Sequence, residues 1–115
     1  MYDKAIIELV INNQVVKKHE ISKGDIINVG RKGHGASIEI ADNTISRLHA
    51  SIHFNLDGIF ITDTDSKSGI WVNNEKLIPN TPFLVKPNQV VSFNSIGTLS
   101  IVLATEQNEK EEHSL

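Results

Sequence analysis

The sequence predicts an all-β domain, a sandwich or a barrel, on three observations. Short segments rich in Ile, Val and Phe recur about every ten residues along the chain. Asn, Asp and Gly, which tolerate positive φ, punctuate them. No window carries an apolar stripe of helical period with caps at its ends.

Taken in order, residues 5–11 and 14–21 form the first two strands, joined through Asn12-Asn13, a pair suited to a tight hairpin. Residues 26–30 and 37–40 follow. The clearest strand is 48–55, where Leu48, Ala50, Ile52 and Phe54 are predicted to face one way and the polar alternates the other. Leu56-Asp57-Gly58 turns the chain into 59–63. Residues 70–72 come next, with Trp71 alternating away from Ile70 and Val72, and Asn73-Asn74 offers another turn. Residues 82–85, 90–93 and 99–103 complete the set. Three stretches, 31–36, 41–47 and 64–69, are longer or more polar than a hairpin requires. Loops of that kind on a rigid β scaffold carry binding.

Length and charge bound the function. A chain of 115 residues has room for one domain, with one core and no need of staples. The formal charge is −3, which argues against a nucleic-acid binder, since such a protein should be basic. Cysteine is absent, excluding disulfides, a Cys-ligated metal and a Cys nucleophile. The longest apolar run is 101–104, too short for a membrane span, and Glu8 interrupts the apolar stretch near the start. The expectation is a soluble, cytoplasmic domain over 1–105. Residues 106–115 hold Glu106, Glu109, Glu111 and Glu112 against Lys110, and are expected to form an acidic, flexible tail.

Several chemistries can be set aside. The segment from Asp63 to Gly69 begins like a calcium loop, but Lys67 occupies its fifth position and Asn74 its twelfth. His49 and His53 would sit about 13 Å apart on a strand, too far to share a zinc ion. Gly30, Gly33 and Gly35 match neither a dinucleotide fingerprint nor a P-loop. Ser46 and His49 lack a nucleophile elbow and an acidic third member. No enzyme and no cofactor is expected.

What remains is a set of basic and hydroxylic residues. The chain has only two arginines, Arg31 and Arg47, and arginine's planar fork suits phosphate. If the three loops meet, Arg31, Arg47 and Lys67 join the hydroxyls of Ser46, Ser66 and Ser68 in a cluster suited to a dianion. The plainer reading is a set of ordinary polar loop residues.

Gly30-Arg31, Ser46-Arg47-Leu48-His49, Asp63, Ser66-Lys67-Ser68-Gly69 and Val72-Asn73 together resemble the forkhead-associated (FHA) domain pattern of G-R, S-R-x-H, S-x-N-G and a V-N turn. The resemblance covers about residues 5–104. It implies a two-sheet β-sandwich of about eleven mostly antiparallel strands that binds phosphothreonine through loops at one end. It makes Arg31 and Ser46 phosphate ligands, sets Arg47 and Lys67 beside the peptide, and gives Gly30, His49 and Gly69 structural roles. Lys32, His34 and Thr44 are then expected to read residues flanking the phosphothreonine. The partner implied is a protein phosphorylated by a Ser/Thr kinase, with no nucleic acid and no membrane.

One position departs from the family pattern. Ser68 stands where the family has asparagine, whose amide holds the ligand's main chain. Serine is shorter, so phosphopeptide binding should be weakened by about fivefold, the worth of one hydrogen bond. The alternative is a phosphate-independent interaction domain on the same fold, with Trp71 as an exposed anchor. Equally, Trp71 packs under a neighbouring loop.

Overall fold

A computed structural model describes residues 3–105, and the predicted tail at 106–115 lies outside them. Within the described residues eleven strands form two sheets: β1 (Lys4–Ile11), β2 (Gln14–Ser22), β3 (Ile26–Arg31), β4 (Ile38–Ile40), β5 (Ala50–Asn55), β6 (Gly58–Asp63), β7 (Trp71–Val72), β8 (Glu75–Lys76), β9 (Phe83–Val85), β10 (Val90–Ser92) and β11 (Leu99–Thr105). One sheet runs β2-β1-β11-β10-β7-β8 and the other β4-β3-β5-β6-β9. All observed pairings are antiparallel except β3 with β4.

Alternation sets the core. Ala5, Ile7 and Leu9 of β1, Ala50, Ile52 and Phe54 of β5, and Ile59 and Ile61 of β6 are all buried. With Ile101 and Leu103 of β11 they fill the space between the sheets. The strand period of two places every second side chain there, and burial of each Ile or Leu stabilises by about 1.5–3 kcal/mol. Turns follow the asparagines: φ is 50° and 67° at Asn12 and Asn13, and 52° and 66° at Asn73 and Asn74, the left-handed pair of a tight hairpin.

Two expectations are corrected. Leu48 does not extend β5 inward; it precedes the strand and is 48% exposed, while His49 is fully buried. The chain turns at this point because the His49 N–H bonds the Val29 carbonyl at 2.8 Å and its ring is used inside. The sequence pattern does not predict the short strand β8, since Glu75 and Lys76 are exposed and carry no apolar signal. It exists through its hairpin pairing with β7.

Candidate functional site

The three polar loops converge. β3 ends at Arg31, β5 begins at Ala50 and β6 ends at Asp63, with Ala50 opposite both Val29 and Asp63 in the sheet. The loops 32–37, 41–49 and 64–70 therefore emerge from one end of the five-stranded sheet. Ile45 and Ile70, both buried, pin the second and third to the core. The described chain ends lie elsewhere: Lys4 pairs with Ser22 and Ala5 with Thr105, near the Phe54 end of β5, where the Gly24 N–H bonds the Phe54 carbonyl.

Gly30 allows β3 to lie against the second loop. A Cβ placed there would stand 2.0 Å from the Arg47 carbonyl oxygen, well inside contact distance. Freed of that obstacle, the Arg31 N–H donates to the Ser46 carbonyl at 2.9 Å, fixing the two segments side by side. Ser46 is tied to the third loop as well, because the Lys67 N–H donates to its Oγ at 2.9 Å. That bond occupies a lone pair of the hydroxyl and leaves its proton free. Among the described residues no salt bridge engages Arg31, Arg47 or Lys67.

His49 braces all of this from beneath. Its Nδ1 accepts the Ser46 N–H at 3.1 Å, so the ring proton sits on Nε2, which donates to the Gly69 carbonyl at 2.8 Å. The Phe93 ring meets it edge-on with centroids 5.4 Å apart. Burial holds the His49 pKa below its usual value, while the Gly69 hydrogen bond and the nearby Asp63 charge oppose that shift. The ring is neutral and serves as a brace.

Asp63 sits at the root of the third loop, where its buried carboxylate accepts the Ser66 N–H at 2.7 Å. Ser66 Oγ in turn accepts the Gly69 N–H at 3.0 Å. Gly69, at φ 92°, closes the turn in a conformation that side chains disfavour. Ser66 thus holds the third loop together through both its N–H and its Oγ.

Ser68 is also engaged. Its hydroxyl donates to the Thr44 carbonyl at 2.7 Å, latching the third loop to the second. Thr44 is itself held within the second loop: its N–H and hydroxyl both donate to Asp42, at 2.8 and 2.5 Å. These bonds lower the Asp42 pKa, so a carboxylate stands within the second loop, which also carries the Ser46 and Arg47 of the basic and hydroxylic set. Asp42 was missed, although Asp-x-Thr is a loop-forming spacing. Lys32 and His34 lie exposed in the first loop. The Lys32 N–H bonds the Ile40 carbonyl, and the Gly33 N–H bonds Glu39.

Trp71 is half-buried. The Lys76 ammonium stands 5.6 Å from its ring centroid, and a Cβ at Gly69 would reach its Cη2 at 3.4 Å. It lines an open groove with Val90 and Ile96, so it is neither a bare anchor nor fully covered.

Comparison with known proteins bears on this geometry. Residues 27–94, more than half of the chain, match the family model described as the FHA domain. The FHA domain of the CT664 protein of Chlamydia trachomatis superposes with a TM-score of 0.74 at 27% identity, over 88% of this chain and 96% of that one. A structure from a study of phosphothreonine-dependent FHA domain interactions superposes at 0.69 with 20% identity, over 87% and 96%. Among curated proteins, the chloroplastic zeaxanthin epoxidase of Nicotiana plumbaginifolia is 31% identical over 77 residues. That match takes in 59% of this chain but only 12% of the epoxidase.

Proposed function

The chain belongs to the FHA domain family, a family of non-enzymatic interaction modules, and from that premise we propose that it binds phosphothreonine in a partner protein, as a signalling adaptor. The observation that carries the reading is the state of Ser46. Its Oγ accepts from the Lys67 N–H and its proton is left for a ligand, while its main chain is tied to Arg31. A phosphate brings about −1.5 to −2 charges and three acceptor oxygens. Arg31 supplies a fixed positive charge and a planar fork, Ser46 a hydroxyl donor, and Lys67 and Arg47 a surrounding positive field.

In this reading Arg31 and Ser46 hold the phosphate, and Arg47 and Lys67 flank the peptide. Lys32, His34 and the exposed edge of Thr44 face the neighbouring residues. The partner is the product of a Ser/Thr kinase, and the proposal sets both in the cytoplasm. Ser68 supplies no free donor, which makes the binding weaker than an asparagine there would give.

Fluorescence anisotropy with a degenerate phosphothreonine peptide pool tests the assignment. Arg31→Ala should weaken binding by about 30-fold or more, the loss expected on stripping one partner from a charged pair. Unchanged affinity in that variant rejects the role given to Arg31.

A further inference from the structure

Strand β2 is one edge of the six-stranded sheet, and β1 is its strand neighbour among the described residues. It is nine residues long and largely exposed. Among the described residues, no loop or side chain bonds the backbone of residues 17–21 from the open side. An uncovered edge of that length is a template for another strand. The register shift between Leu9 and Val10 leaves Val16 unpaired, so the first part of β2 is guarded by a bulge. The regular part that follows is Lys17-Lys18-His19-Glu20-Ile21.

We propose that two copies of this chain pair through residues 17–21 of β2, antiparallel, with His19 at the two-fold axis. When a sheet continues across such an axis, directly opposed side chains lie on the same face, so their residue numbers sum to an even value. That leaves three registers centred within the segment's middle. Centring on Lys18 sets Lys18 against its own copy, and centring on Glu20 sets two carboxylates together. Centring on His19 sets Lys18 of each copy against Glu20 of the other, twice.

The sheet extends this complementarity. Lys18 already stands 3.8 Å from Glu8, its neighbour on β1. In the dimer it lies between Glu8 and the second copy's Glu20, with Ile6 of that copy beyond, since Ile6 pairs with Glu20. On the opposite face Lys17 stands against the second copy's Ile21, which its own core already buries. The charges on this edge therefore suit a second copy of the same edge, which is why the occupant is this chain and not a foreign strand. Five residues from each chain make a small contact compared with the ~1,200 Å² of a stable interface. The dimer is accordingly transient, with a dissociation constant on the order of 0.1 mM.

Sedimentation equilibrium of the full chain, from about 0.02 to 1 mM, reads the association across that constant. Glu20→Lys and Lys18→Glu each place like charges opposite one another in both pairs. Each alone should associate at least about tenfold more weakly than the native chain, from the loss of two opposite-charge pairs. An equimolar mixture of the two variants restores both pairs and should associate as the native chain does. Glu20→Lys leaves the Lys18–Glu8 bridge intact, and thermal melting of each variant checks that the fold is kept. A native chain that stays monomeric throughout overturns the proposal. So do single variants that dimerise like the native chain, or a mixture that gains nothing.

Discussion

Ser68 shows how one hydroxyl is divided between structure and ligand. Its proton is committed to the Thr44 carbonyl at 2.7 Å, so it cannot also donate to a bound main chain. Asparagine carries two donors and an acceptor, enough to keep the latch and serve a ligand. Ser68→Asn is expected to raise phosphopeptide affinity about fivefold by calorimetric titration. Ser68→Ala should instead cost about 1 kcal/mol of stability by urea denaturation, through loss of the latch. His49 is the other residue with a measurable signature. Its folded pKa lies below the usual 6.5 chiefly through burial, so the unfolded chain takes up the proton first as pH falls. The stabilisation is complete above pH 6.5 and declines as pH drops from there toward the folded value. Melting temperature should therefore fall through this window, at no more than about 1.4 kcal/mol of stability per pH unit from this group. His49→Gln should flatten that slope, and an unchanged slope would remove His49 as its source.

At the scale of elements, the approach of β3 to the second loop is the joint on which the site depends. Gly30→Ala would drive a methyl into the Arg47 carbonyl, 2.0 Å from its ideal position, and backbone must move to admit it. We expect a loss of about 3 kcal/mol by urea denaturation, with phosphopeptide binding reduced in parallel as Arg31 and Ser46 separate. Unaltered stability would mean that the approach is slack. Most strands were legible because their inward residues repeat with period two: Ala5, Ile7 and Leu9, or Ala50, Ile52 and Phe54. Leu48 misled because the same alternation continued into it, while the hydrogen bonds of His49 took the inward place. β8 was silent because two exposed polar residues carry no pattern and owe their strand to a partner.

For the whole molecule, binding rests on bringing together loops distant in sequence. The sandwich sets three of them at one end and the described chain ends at the other. The ordered motifs, Gly30-Arg31, then Ser46 to His49, then Ser66 to Gly69, were readable as a set. What each hydroxyl does was not, because it is decided by tertiary bonds, two of them between loops (Ser68 to Thr44, Lys67 to Ser46) and one inside the third (Ser66 to Gly69). Asp42 is different, since its contact with Thr44 is local and the Asp-x-Thr spacing already carries the signal for it. The most direct test of the phosphothreonine reading is an amide NMR titration with matched phosphothreonine, phosphoserine and unphosphorylated peptide pools. Shifts are expected with the phosphothreonine pool alone, centred on Arg31, Ser46 and Lys67. Equal shifts with the unphosphorylated pool, or none at about millimolar peptide, would contradict it.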